Sequence, residues 1–172
     1  EKVLDVEYEM PYLHHATMEP MNCTAHVTAD SCEVWVPTQN QTETLKAAME
    51  VTDFSEDQIQ IHTTLLGGGF GRRLSPDFVT QAVTVSKALQ KPVQVIWSRE
   101  EDTQHGYYRP TSMSRFQVGL GGDSKPVQWE NQVAQPNLAA TFVPAAKWFD
   151  FDPMAIVASV HDYWMFPDHF YK

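Results

Sequence analysis

The segment "DQIQIHTTLLGGGFGRRLSPDFV", Asp57 to Val79, holds three residue patterns in immediate succession. Ile59, Ile61, Thr63 and Leu65 alternate with their neighbours, which is the two-residue period of a strand. Gly67, Gly68, Gly69, Phe70 and Gly71 follow, where missing side chains allow positive φ and let another group approach the backbone closely. Pro76 and Asp77 then suit a helix start. The run after them sets Phe78, Val79, Ala82, Val83, Val85, Ala88 and Leu89 on a broad apolar face. Strand, glycine loop and helix in this order offer backbone N–H groups and a helix N-terminus to an anion.

Two common phosphate loops are tested directly by the spacing. A Walker loop needs Gly-Lys-Ser/Thr after its glycines, and here Gly71 precedes Arg72 and Arg73. A dinucleotide fingerprint needs Gly-x-Gly-x-x-Gly; counted from Gly67 the last position is Arg72, and counted from Gly69 it is Leu74. Neither fits. A turn that is glycine-rich for packing reasons alone remains open at this point.

Working outward, Ala25–Thr28 and "CEVWV" (Cys32–Val36) are short β-type runs around a turn at residues 29–31, a hairpin pattern. "QTETLKAAMEV" (Gln41–Val51) reads as a helix with Asn40 or Thr42 as its cap. Val93–Trp97 reads as a strand, and Arg115–Leu120 with Val127–Ala134 as an antiparallel pair around "GGDSKP". The expected fold class is therefore α+β, with mixed and antiparallel strands and two main helices packed on the sheet. From Pro136 to Lys172 the chain is rich in proline, alanine and aromatics without a clear period. That segment is expected to pack against protein outside this chain, because so many large apolar side chains need a covering surface.

Composition narrows the function classes. At 172 residues, with 42% hydrophobic and 20% charged residues, the chain can bury a core and is most simply one domain. A net charge of −10 argues against nucleic acid as the main partner. The window from Arg72 to Arg115 is locally basic, with seven basic residues against four acidic ones, and it begins at the glycine loop. No apolar run approaches the ~20 residues of a membrane-spanning helix. The chain starts at Glu1 without a methionine, so a longer parent is expected. Cys23 and Cys32 are too few for an iron–sulfur cluster or a structural zinc. They read equally as buried thiols or as one disulfide. The seven histidines make no metal-ligand pattern.

Several motifs taken together resemble one family. "GGGFGRR" (Gly67–Arg73) resembles the molybdenum-cofactor signature Gly-Gly-Gly-Phe-Gly of the xanthine dehydrogenase/aldehyde oxidase family. "HATMEPMNCTA" (His15–Ala25), "VWVPTQ" (Val34–Gln39) and "KPVQVIWSREEDTQHGYYRP" (Lys91–Pro110) look like further family segments in the family's order. The 31 residues from Gln39 to Phe70 match the family's separation of the corresponding glutamine and phenylalanine. The resemblance covers about residues 12 to 135 and is nearest to the large β subunit of the isoquinoline 1-oxidoreductase type. It makes residues 1–135 a motif-bearing core and the whole chain a piece of a molybdenum-cofactor-binding domain.

The resemblance implies a molybdenum–pterin cofactor, either molybdopterin or its cytosine dinucleotide. It also implies hydroxylation of an N-heterocyclic aromatic compound or an aldehyde with oxygen drawn from water. Gln39 would hydrogen-bond an oxygen ligand of the molybdenum without ligating the metal. Gly68, Gly69 and Gly71 would let the backbone approach the cofactor, Phe70 would wall the metal pocket, and Arg72 and Arg73 would reach an anionic part of the cofactor or simply pair with Asp77. Glu19 lies in a matched motif, yet a glutamate before proline can equally fix a turn. The implied partners are the remainder of the large subunit and a small iron–sulfur subunit, with periplasm or cell envelope as a location and cytoplasm as the alternative. Xanthine-oxidising members carry a glutamate where this chain has Leu74, which points to an apolar aromatic or aldehyde substrate. The family's general-base glutamate lies beyond Lys172, so the isolated chain is expected to be inactive. A non-catalytic anion-binding or assembly module that keeps only the fold is the alternative.

Overall fold

The structure is a computed structural model, and it describes residues 2–137. The strands are β1 (Lys2–Met10), β2 (Leu13–His14), β3 (Asn22–Val27), β4 (Cys32–Val36), β5 (Ile59–Thr63), β6 (Val93–Ile96), β7 (Tyr108–Arg109), β8 (Ser112–Leu120) and β9 (Pro126–Ala134). The helices are α1 (Gln41–Thr52), α2 (Asp77–Leu89) and α3 (Arg99–His105), with 3-10 turns at Glu56–Gln58 and Arg72–Leu74. The chain divides into two compact units. One comprises described residues 2–13 and 109–137, and the other comprises residues 14–108. The expected α+β class, with mixed strands, holds. The segment from 138 onward lies outside the described residues.

The first unit is a three-stranded antiparallel sheet in the order β1-β8-β9. Tyr8, Phe116 and Trp129 form an edge-to-face ladder across it, with ring centroids 5.9 and 5.8 Å apart. Arg115 grips Asp5 through Nε at 2.9 Å and Nη2 at 2.6 Å, and Gln117 Nε2 donates to the same carboxylate at 2.8 Å. The sequence reading left residues 2–10 unassigned. Their alternation, "KVLDVEYEM", acquires meaning only once β8 supplies a partner.

The second unit is a four-stranded mixed sheet in the order β5-β4-β3-β6. β3 pairs antiparallel with β4 and β6, whereas β4 and β5 run parallel. A parallel pair cannot be closed by a tight turn, and α1 provides the crossover. Alternation along β3 and β4 sends Cys23, Ala25, Val27, Cys32, Val34 and Val36 to one fully buried face. Phe78, Val79, Ala82 and Val83 of α2 and Ala48 of α1 complete that core. The apolar face of α2 is narrower than its sequence suggests: Val85 and Leu89 are exposed, and Ser86 is buried in their place. Its hydroxyl accepts from Val27 N at 2.9 Å and donates to the Lys91 carbonyl at 2.7 Å, which pins the helix end to the sheet.

The residues after β6 form a helix, α3, which the sequence reading did not assign. Ser98 caps it by accepting from Glu101 N at 3.1 Å, and Glu100, Glu101 and Asp102 fill the first turn, where the helix end is positive. Its seven residues are too few to show a clear apolar period.

Candidate functional site

The parallel pairing of β4 and β5 decides where the motifs meet. Both strands end at the same edge of the sheet, and Thr64 N donates to Val36 O at 3.1 Å as they leave it. Residues 37–39 from one strand and the glycine loop from the other are therefore neighbours, although Gln39 and Phe70 are far apart in sequence. Because β3 runs the opposite way, its approach segment, residues 17–21, reaches this edge as well. Trp97 N donates to Met21 O at 2.9 Å there, bringing the chain after β6 alongside. The ends of parallel strands are the usual place for a ligand in such sheets.

Gln39 is bound to the loop at three points. Its Oε1 accepts from Gly71 N at 3.1 Å and from Arg73 N at 3.3 Å, and its own N–H donates to Arg73 O at 3.2 Å. Two backbone donors on Oε1 fix the amide orientation and leave Nε2 as a donor with no acceptor among the described residues. Helix capping is the simplest other use of a polar residue here, and Asn40 performs it, with Oδ1 accepting from Glu43 N at 3.2 Å. Gln39 itself is exposed.

The glycines do three different things. Gly68 and Gly71 both have φ near +94°, where any side chain is strained. Gly69 is buried, and a Cβ on it would overlap Gln39 Oε1. A Cβ on Gly67 would lie 2.6 Å from Glu19 Cβ. Phe70 is 66% exposed with φ +54°, an uncommon backbone conformation for an aromatic residue. It does not serve the core. The N–H groups of Gly68, Gly69 and Phe70 have no acceptor among the described residues. Three successive unpaired donors beside an exposed ring and a free amide can receive a ligand rich in acceptor oxygens. Met18 and Leu65 are also strongly exposed, at 86% and 97%.

Both arginines face inward, and Arg72 takes the pairing with Asp77 that the sequence reading held open beside a cofactor contact. It is 1% exposed and forms a fork with Asp77, at 2.9 Å from Nη1 and 2.7 Å from Nη2. Its guanidinium also lies 5.2 to 6.0 Å from the ring centroids of Phe78, Trp97 and Tyr107. Burial and pairing leave it no face for a cofactor. Arg73 is fully buried and joins three segments: Nε donates to Gly68 O at 2.7 Å, Nη1 to Pro37 O at 3.4 Å and Nη2 to Glu19 O at 2.7 Å. Burial pushes its guanidinium below the ordinary value, opposed first by the Glu19 carboxylate and then by Asp102.

Glu19 is the residue that sequence reasoning left unplaced. Its Oε2 accepts from Gly67 N at 2.7 Å and from Arg73 Nη2 at 3.0 Å, while Oε1 accepts from Asn22 Nδ2 at 2.7 Å. Its backbone N–H also donates to Gly67 O at 3.1 Å. The available signal was charge: two arginines beside a buried turn need two carboxylates, and Asp77 can satisfy only one. Nearby, the buried Asp102 accepts from Arg99 Nη1 at 3.1 Å and lies 3.2 Å from His14 Nε2, so His14 is held by a structural carboxylate. Among the described residues, no three His, Cys, Asp or Glu side chains gather as a metal site, and no helix is long and apolar enough to cross a membrane. Cys23 and Cys32 are free thiols, both buried.

Residues 1–139 match the family model described as "Molybdopterin cofactor-binding domain". The β subunit of isoquinoline 1-oxidoreductase from Brevundimonas diminuta is 32% identical over 145 residues, covering 83% of this chain and 19% of the relative. The membrane-bound aldehyde dehydrogenase (pyrroloquinoline-quinone) from Gluconacetobacter polyoxogenes is 32% identical over 133 residues, covering 77% of this chain and 17% of the relative. Among solved structures, the aldehyde oxidoreductase from Desulfovibrio gigas superposes with a TM-score of 0.64 at 16% identity, covering 78% of this chain and 15% of that one. The chain thus spans about a fifth of the length of these relatives.

Proposed function

Since the chain belongs to the molybdopterin cofactor-binding domain family, we propose that it is part of the large subunit of a molybdenum-dependent hydroxylase acting on an N-heterocyclic aromatic compound or an aldehyde. The observation that carries this reading is the joining of Gln39 to the glycine loop. It leaves one side-chain donor and three backbone donors unpaired beside an exposed Phe70.

These residues fit a pterin-borne metal group. Gly68 and Gly69 bring the backbone to the surface without side chains in the way, and their N–H groups, with that of Phe70, would donate to its oxygen-rich parts. Gln39 would donate from Nε2 to an oxygen of the group without adding charge, because Oε1 is already committed to the loop. Phe70 would wall the site and exclude water from it. When bound, the group supplies two-electron redox chemistry that no side chain of this protein can provide. Gly71 supports the site through its turn. Arg72 braces the loop from within.

The names of two relatives, an isoquinoline oxidoreductase and an aldehyde dehydrogenase, support the substrate classes. Leu74 in place of an acidic residue favours an apolar substrate within them. We further propose that the catalytic base comes from a part of the large subunit outside these residues. A small iron–sulfur subunit would carry electrons away. By itself the chain would be inactive.

The test is to purify the longer protein from cells supplied with molybdate and to measure molybdenum and pterin per polypeptide. Gln39→Ala and Phe70→Ala variants and residues 1–172 alone would be measured alongside. Near-stoichiometric cofactor in the longer protein, none in the short chain and impaired turnover in both variants support the reading. A folded, cofactor-supplied protein without molybdenum or pterin would overturn it.

A further inference from the structure

We infer that Glu19 is a positioning residue. Acting on the Gly67 amide directly and on Gly68 through Arg73, it holds the glycine loop in the shape that leaves the N–H groups of Gly68, Gly69 and Phe70 open. The ligand that uses those groups is the cofactor proposed above, and for the ligand's identity the inference rests on that reading.

The geometry is specific to Glu19. The glycine loop has few side chains of its own with which to hold a shape, and Phe70, at φ +54°, resists the conformation it adopts. Something outside it must fix both of its ends. Gln39 fixes the far end, through Gly71 and Arg73. At the near end the Gly67 N–H and C=O are both taken by Glu19, at 2.7 and 3.1 Å. The Gly68 carbonyl is taken by Arg73 Nε at 2.7 Å. Arg73 is held in turn by the carbonyl and the carboxylate of Glu19, at 2.7 and 3.0 Å. Glu19 is the only carboxylate within ion-pair distance of this fully buried guanidinium among the described residues. With the Gly67 N–H and C=O and the Gly68 C=O occupied in this way, the N–H groups of Gly68, Gly69 and Phe70 are the ones left over. Proline at position 20 restricts Glu19 to an extended backbone, which limits the drift of the carboxylate.

The experiment is amide hydrogen exchange by NMR on the 172-residue chain, comparing the unaltered protein with Glu19→Ala, Glu19→Gln and Asn22→Ala. In Glu19→Ala, exchange at Gly67 and Gly71 is expected to quicken by about tenfold or more, while the amides of β3 and β4 keep their protection. Glu19→Gln keeps one oxygen for Gly67 and Arg73 and should restore most of the loop protection. Asn22→Ala removes the partner of the other oxygen, together with a bond to the Pro20 carbonyl, and should change the loop little. Unchanged loop exchange in Glu19→Ala, or equal quickening in loop and sheet, would overturn the inference. A parallel assay of pterin in the longer protein separates the two ideas. The unaltered protein lacking pterin would defeat the cofactor reading and leave the exchange result standing. Full pterin retention in Glu19→Ala would overturn the positioning role.

Discussion

A methyl group on Gly69 would occupy the space of the Gln39 amide oxygen, so the absence of a side chain at one residue is what lets the other reach the loop. Gly71 poses the opposite problem. Nothing lies within 4 Å of where its Cβ would be, but its φ is +94°. Gly69→Ala should therefore displace Gln39 and abolish its bonds to Gly71 and Arg73. Gly71→Ala should cost about 1–2 kcal/mol of strain and leave Gln39 in place. Amide chemical shifts of Gly71 and Arg73, together with urea unfolding of each variant, check the contrast.

Arg73 holds the carbonyls of Glu19, Pro37 and Gly68 in a dry environment. Replacing it with methionine leaves these acceptors and the Glu19 carboxylate without their donor. The expected loss is about 3–5 kcal/mol, measured by urea unfolding of the second unit. Arg73→Lys should recover only part of this, because one ammonium cannot span three segments.

Arg72 depends on Asp77 in the same way. Asp77→Ala leaves a buried guanidinium unpaired, with an expected cost of about 3 kcal/mol or more. Asp77→Asn keeps one acceptor and should cost less. Because Asp77 also begins α2, circular dichroism should show the first turn of that helix loosening in the alanine variant.

Asp5 titrates in a predictable window. Hydrogen bonds from Arg115 and then Gln117 lower its carboxyl from 3.8 to about 2. A folded value below the unfolded one means that the stabilisation is complete above about pH 4 and is lost as pH falls toward 2. NMR shifts of β1 and β8 should follow that acid transition. In Arg115→Gln, the Asp5 midpoint should move back toward the ordinary carboxylate value.

The two thiols should be inert in the folded protein. Burial pushes Cys23 up to about 12, with Cys32 adding to it. Burial and then Glu33 push Cys32 to about 11. At pH 8, iodoacetamide should label neither thiol until urea unfolds the second unit, and then both. Labelling of the native chain would show that the sheet face carrying them opens readily.

Much of the architecture follows from local pattern. The alternation in Cys32–Val36, the capped run after Asn40 and the apolar run after Asp77 each specify an element through contacts within a few residues. The glycine loop and its phenylalanine are legible for the same reason, since a run of absent side chains is a local fact. Gln39 was legible only through family resemblance, because its separation from Phe70 means nothing until β4 and β5 lie side by side. Asp77 was legible only as one possible partner for either arginine, and Glu19 was not legible as a partner at all. One sequence offers each of them several carboxylates, and only the packed sheet edge gives Asp77 to Arg72 and Glu19 to Arg73. The sequence by itself determined the strand, loop and helix order and the bare backbone of the loop. The tertiary structure alone decided that both arginines turn inward, because a buried guanidinium goes wherever acceptors from distant segments converge, and that convergence exists only in the folded chain.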